Sequence, residues 1–284
     1  MRKKILAILL ALCTLALFCA CADEEAPSKG LEFTLNDDGA SYTLLSYGDC
    51  KDAQVVIPSE YKGLPVTAIG SYAFKKSGIT SVSIPESVTQ IAYDAFETCT
   101  KLAYNEYEGG KYLGNAKNPY LVLIDITSEA DAIFKTHKDT KVIAECAFWD
   151  ANTERIALGT SVTHIGNAAF YGCGSLETIV LPDSLTYISS EVFGNCKSLT
   201  ELNIPESVTV IEDETFAFCS ALISVKLPSS IEKIGSSVFS NCEVLRDIYF
   251  DGTAAEWNAI EKDSDWDAFT ANYTIHCSDT DIKK

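Results

Sequence analysis

Apolar positions recur along most of this chain at a fixed step. Phe170, Phe193, Phe216 and Phe239 stand 23 residues apart, and three residues after each comes a cysteine: Cys173, Cys196, Cys219 and Cys242. Leu176, Ile179 and Leu181 before Pro182 match Leu199, Leu202 and Ile204 before Pro205, then Leu222, Val225 and Leu227 before Pro228. The second and third of these apolar positions are two apart, which puts them on one face of a strand while the residue between them points the other way. Proline then stops the strand, because it has no N–H for a ladder bond. A second apolar pair follows (Val208/Ile211, Ile231/Ile234), then a polar stretch, read as a short helical turn, that carries the Phe and the Cys. The period predicts a strand-dominated α/β-type repeat solenoid of 23-residue coils with short helical turns and end caps. Each coil buries its apolar face only against its neighbours.

The copies align as IPESVTQIAYDAFETC (84–99), LPDSLTYISSEVFGNC (181–196), IPESVTVIEDETFAFC (204–219) and LPSSIEKIGSSVFSNC (227–242). LGTSVTHIGNAAFYGC (158–173) has Gly159 for the proline, and the partial copy LPVTAIGSYAF (64–74) is followed by Ser77 in place of the cysteine. These segments resemble the BspA-type leucine-rich repeat of bacterial surface proteins, and the resemblance runs over residues 31–277. It implies surface adhesion or recognition of a protein or glycoprotein on host or neighbouring cells. It also implies a binding module, not an enzyme.

Two regions leave the period. The repeat begun at Leu102 is completed only at 140–148, and the intervening insertion, about 103–139, reads as a β-hairpin around a Gly/Asn/Pro turn. It is either purely structural or part of a ligand site. Residues 31–66 read as an N-terminal cap, 67–252 as repeats, 253–277 as a C-terminal cap with Trp257 and Trp266 in its core, and 278–284 as a tail.

The chain opens with Met1-Arg-Lys-Lys4 and an apolar run from Ile5 to about Phe18. That reads as a signal peptide over 1–20, because a membrane span needs ~20 apolar residues. Phe18-Cys-Ala-Cys21 resembles a lipoprotein box with Cys21 as the lipidated residue and 21–30 as a tether. Ordinary cleavage and secretion is the alternative. The implied location is extracytoplasmic, with the membrane reached through the N-terminal lipid only.

Charge narrows the partners. The formal net charge is −18; removal of 1–20 takes away Arg2, Lys3 and Lys4, giving −18 − 3 = −21. Such a field disfavours nucleic acid and anionic lipid. The eleven cysteines would suggest disulfides in an exported chain. However, Cys99, Cys173, Cys196, Cys219 and Cys242 share one repeat position. Stacked coils ~4.8 Å apart with parallel Cα–Cβ vectors suit disulfide geometry poorly, so these are read as buried free thiols. Cys50, Cys146 and Cys277 have no assignable partner. His137, His164 and His276 are not at ligand spacing. Asp263-Ser-Asp265-Trp-Asp267 lacks the Gly and closing Glu of a calcium loop and reads as a solvated turn. No metal, cofactor or catalytic group is expected.

The residues between the inward positions face solvent in three rows. The row nearest the proline runs Ser83, Ala157, Val180, Asn203, Lys226, Tyr249. These rows vary while the core columns repeat. Ile223, Lys226, Arg246 and Tyr249 form their one mixed apolar, basic and aromatic group, and they are the candidate partner-binding residues because Tyr and Arg are favoured at interface hot spots. A structural spacer of the cell envelope is the competing reading.

Overall fold

A coil of this length bonds to itself only at its turns, so its remaining backbone groups must find partners on the coils before and after it. The computed structural model describes residues 26–127 and 132–284. The signal segment and Cys21 lie outside the described residues. Three walls carry the inter-coil bonds.

The first wall is built of short parallel strands, among them Arg155–Ala157, Thr178–Val180, Glu201–Asn203, Ser224–Leu227, Asp247–Phe250 and Thr274–His276. Leu202, Val225, Ile248 and Ile275 stand in one register column and point inward. The second wall uses two-residue strands such as His164–Ile165 and Tyr187–Ile188, with Ile143, Ile165 and Ile188 in register.

The third wall holds the Phe and the Cys, and it is a run of turns instead of a helical turn. The only α-helix among the described residues is Ala254–Ala259, in the C-terminal cap. The physical reason is a competition for amides. An α-helix uses its N–H groups internally, whereas here alternate N–H groups reach the next coil: Ala168 to Ser190, Phe170 to Val192 and Gly172 to Gly194. Two left-handed residues four apart permit this, such as Glu191 (φ 59) and Asn195 (φ 61) or Ser237 (φ 53) and Asn241 (φ 59).

Inside, the rings of Phe170, Phe193, Phe216 and Phe239 form a column with centroids 5.5, 5.8 and 5.4 Å apart and planes within 8°. Each neighbouring cysteine has a defined partner. Cys219 Sγ donates to the carbonyl of Phe193 at 3.0 Å and Cys242 Sγ to that of Phe216 at 3.1 Å; Cys99 and Cys173 do the same with Phe74 and Phe148. The thiol is small enough for the core and still carries a weak donor. All eight cysteines among the described residues are free of disulfides.

After Cys99 the regular stack is interrupted. Asn105–Tyr107 and Gly110–Leu113 form an antiparallel hairpin, and Val122–Ile126 runs antiparallel to the second of these strands. Val122–Ile126 also pairs in parallel with Val142–Ile143, so it enters the second wall in place of a coil. Ile133–Lys135 then begins a new run on the first wall beside Arg155–Ala157. Between Val122–Ile126 and Ile133–Lys135 the sequence of this extra coil has neither Phe nor Cys.

Both ends are covered. Glu32–Leu35 and Tyr42–Ser46 form a hairpin, and Tyr47 N–H donates to the Ala73 carbonyl at the open end of the third wall. At the other end Trp257 is buried, Phe239 N–H donates to Trp266, and a capping box of Thr253 and Glu256 starts the helix. Residues 278–284, read from sequence as a tail, include Asp281–Lys283, which pairs antiparallel with Thr274–His276 and closes the edge of the first wall.

Phe193→Ala should cost about 3–5 kcal/mol, because the removed ring leaves a hole between two stacked neighbours. Cys219→Ala should cost only about 1 kcal/mol, since the Phe193 carbonyl keeps the N–H of Cys196; chemical denaturation of both variants checks the order. Burial pushes the thiol of Cys219 well up and that of Cys242 up to about 12. Alkylation at pH 8 should therefore be slow for the column until denaturant is added.

Candidate functional site

Strand alternation fixes which side chains reach solvent on the first wall. The residue between two inward positions must point out, and the parallel register then lines these residues up from coil to coil. Asn203, Lys226, Tyr249 and His276 are direct register partners. Ile223 and Arg246 are neighbours across the same two coils, with the Arg246 N–H on the Ile223 carbonyl at 2.9 Å. The four sequence-predicted residues thus stand as a two-by-two block. Ile223 is 46% exposed and Tyr249 44%, a large apolar area for positions that packing does not require.

Charge surrounds the block. Lys226 pairs with Asp251 at 2.9 Å, while the Arg246 guanidinium is exposed. Tyr249 stacks on the ring of His276 with centroids 4.8 Å apart. Both nitrogens of that ring contact carboxylates: Nε2 meets Asp247 at 2.8 Å and Nδ1 meets Asp281 at 3.0 Å. The hydrogen bond to Asp247 first, and that to Asp281, raise the His276 pKa against the opposing effect of burial. His276 did not stand out in the sequence because Asp281 reaches it only through the final antiparallel strand.

The remaining sequence candidates are absorbed by packing. Asp265 accepts hydrogen bonds from the hydroxyls of Ser236 and Ser237. Asp267 is bonded to the Tyr273 hydroxyl and to Lys284. Among the described residues no group of three or more His, Cys, Asp or Glu could hold a metal.

Sequence reasoning missed a second feature entirely. A cleft of about 920 Å³ opens on the third wall between the turns at 92–99 and 144–151. Its sides carry Tyr72, Tyr93 and Trp149, its floor Ile124 and Asp125 of the extra coil. The lining residues run from 72 to 191, and although Glu145, Ala168 and Glu191 keep the 23-residue step, nothing in that step marks an opening. The one signal available was the extra coil itself, which has no Phe/Cys turn to fill the third wall.

A family model described as the BspA type leucine rich repeat region matches residues 47–111 and 141–260, in six copies. The match lapses over much of the extra coil. Among solved structures, a leucine rich cell surface protein from Faecalibacterium prausnitzii is 23% identical, covering 84% of this chain and 98% of that one at a TM-score of 0.55. At that identity the likeness is one of fold. The T. pallidum leucine rich repeat protein is 30% identical over 78% of this chain and 91% of that one, with a TM-score of 0.37. No curated protein matches.

The raised pKa of His276 has a signed consequence. A cation held between two carboxylates stabilises the fold fully below the unfolded value of about 6.5, and that contribution is lost as pH rises through the higher folded value. Amide exchange at Ile282, corrected for intrinsic rate, should accelerate as pH rises above neutrality. In His276→Gln the corrected rate should be flat across the same range.

Proposed function

Given that this chain belongs to the BspA-type leucine-rich repeat family, we propose that it is an extracytoplasmic recognition module. In this reading a lipid on Cys21 holds it at the membrane, and it binds a protein or glycoprotein partner through the block of Ile223, Lys226, Arg246 and Tyr249. One observation carries the reading. The inward columns of the first wall repeat from coil to coil, while its outward rows vary and include, towards the C-terminal end, an exposed apolar, basic and aromatic group. A varied row fits a single non-periodic partner better than a repetitive polymer. Tyr and Arg supply large contact area and planar donors at little entropic cost, as hot spots do.

Binding is favoured over catalysis by the same geometry. His276 with Asp247 and Asp281 has the composition of a proton-transfer group, but both ring nitrogens contact carboxylates. No nitrogen is left to accept a proton from a nucleophile. Among the described residues no helix is long and apolar enough to cross a membrane.

The test uses lipid-free protein, residues 23–284, screened against host-matrix proteins, mucins and envelope glycoproteins. The expected outcome is a saturable hit of micromolar affinity or better that Arg246→Ala with Tyr249→Ala weakens at least tenfold, or about 1.4 kcal/mol. A hit untouched by that pair would place the site elsewhere, and a folded sample that binds nothing would favour an envelope spacer. In cells, Cys21→Ser should abolish fatty-acid labelling and release the protein from the membrane fraction.

A further inference from the structure

Three amide-to-carbonyl bonds cross the third wall at each regular junction between Cys146 and Ser240. The donors are the left-handed residue, the Phe two positions on and the residue two beyond that. At the junction between 92–99 and 144–151 the equivalent donors are Asp94, Phe96 and Thr98, and the equivalent acceptors are Glu145, Ala147 and Trp149. No bond joins these two rows, and neither row finds another backbone partner among the described residues. The walls still meet at one end, where Glu145 N–H reaches the Ile91 carbonyl at 3.2 Å. From there they part around the cleft. One missing turn in a stack of ~4.8 Å spacing leaves room for about one extended chain.

The sides of the cleft carry a consistent chemistry. Tyr93 is 67% exposed and Trp149 48%, and Trp149 is braced by stacking on Tyr171 at 4.5 Å. Two of the lining acids are neutralised, Glu97 by Lys75 at 2.7 Å and Asp125 by Lys111 at 3.0 Å. Asp94, Glu145 and Glu191 form no ion pair among the described residues; Asp94 is buried and accepts the Ser71 hydroxyl at 2.7 Å, and its charge also helps, behind the Glu97 hydrogen bond, to raise the Lys75 pKa. Burial holds the Glu145 carboxyl above its usual range against the opposing hydrogen bond from the Tyr93 amide, and the charge of Asp94 adds to the rise. A bound cation would relieve both.

We propose that this cleft is a docking slot for an extended basic segment of a partner polypeptide, which takes the place of the missing turn in the third wall. The ligand class follows from the two rows. Unpaired amides on one side and unpaired carbonyls on the other call for a guest that carries donors and acceptors along its length, as a polypeptide main chain does, and the unpaired acids call for a basic one. Lysine or arginine side chains of the guest would meet Asp94, Glu145 and Glu191 and lie over Tyr93 and Trp149 as cation–π pairs. The slot rests on the recognition reading and gives it a second contact surface.

The experiment is calorimetric titration of the intact chain with an end-capped octapeptide of alternating lysine and threonine. The expected result is saturable micromolar binding. It should be weakened at least tenfold by Glu145→Gln with Glu191→Gln, in protein shown by thermal melting to be folded. N-methylation of alternate guest amides should weaken it by a similar factor, and Arg246→Ala with Tyr249→Ala should leave it unchanged. Absence of binding, equal binding of a glutamate–threonine peptide, or indifference to the carboxamide variants overturns the slot. Binding of a neutral oligosaccharide such as maltohexaose in its place does so too. If the screen finds a partner at the sheet face while this peptide does not bind, the slot fails and recognition stands; if both come up empty, both fail.

Discussion

The structure depends on a single requirement: each coil must satisfy its backbone on the adjacent coils, at one spacing and on three walls together. That requirement forces equivalent side chains into equivalent places. A phenylalanine that stacks on the one before it must be followed, one coil later, by another planar ring, and Phe170 to Phe239 meet this within a few degrees. The cysteine column follows from the same demand. The Phe carbonyl accepts one amide from its own turn and has a lone pair facing the next coil, where space for only a small side chain remains. A thiol fits both conditions.

The same requirement leaves the outside free. Side chains between inward positions touch no neighbouring coil through the core, so packing sets no limit on them, and Val180, Asn203, Lys226 and Tyr249 succeed one another in one row. The chain therefore separates its two tasks by direction: inward residues hold the stack, outward residues are available for contact. Where a coil departs from the pattern, as between 99 and 140, the change shows at once as an opening in a wall. A solenoid has no second layer to hide an irregularity.

Much of this was legible in the sequence because the period speaks twice, once in identity and once in spacing. The inward columns, the proline breaks, the outward rows and the block at Ile223 to Tyr249 all follow from counting. What did not follow involves bonds whose partners carry no repeat. The turn wall was read as a short helical turn from its polar stretch, but alternate amides there are spent between coils. Asp281 meets His276 only because the chain reverses after Cys277. The cleft draws Tyr72, Glu145 and Glu191 together across a coil that lost its Phe and Cys, and no local pattern marks a side chain by what its neighbour lacks.

The third wall has a direction, since the amides that cross between its coils donate towards the C-terminal end and the carbonyls that accept them face the N-terminal end. An uncapped stack would therefore present acceptors at one face and donors at the other, and two copies could join head to tail without limit. Such a heterologous contact does not close on itself and makes filaments. Tyr47 on the Ala73 carbonyl and Trp266 on the Phe239 amide occupy one group at each of these faces. These two small contacts help keep a one-dimensional stack from becoming a fibre.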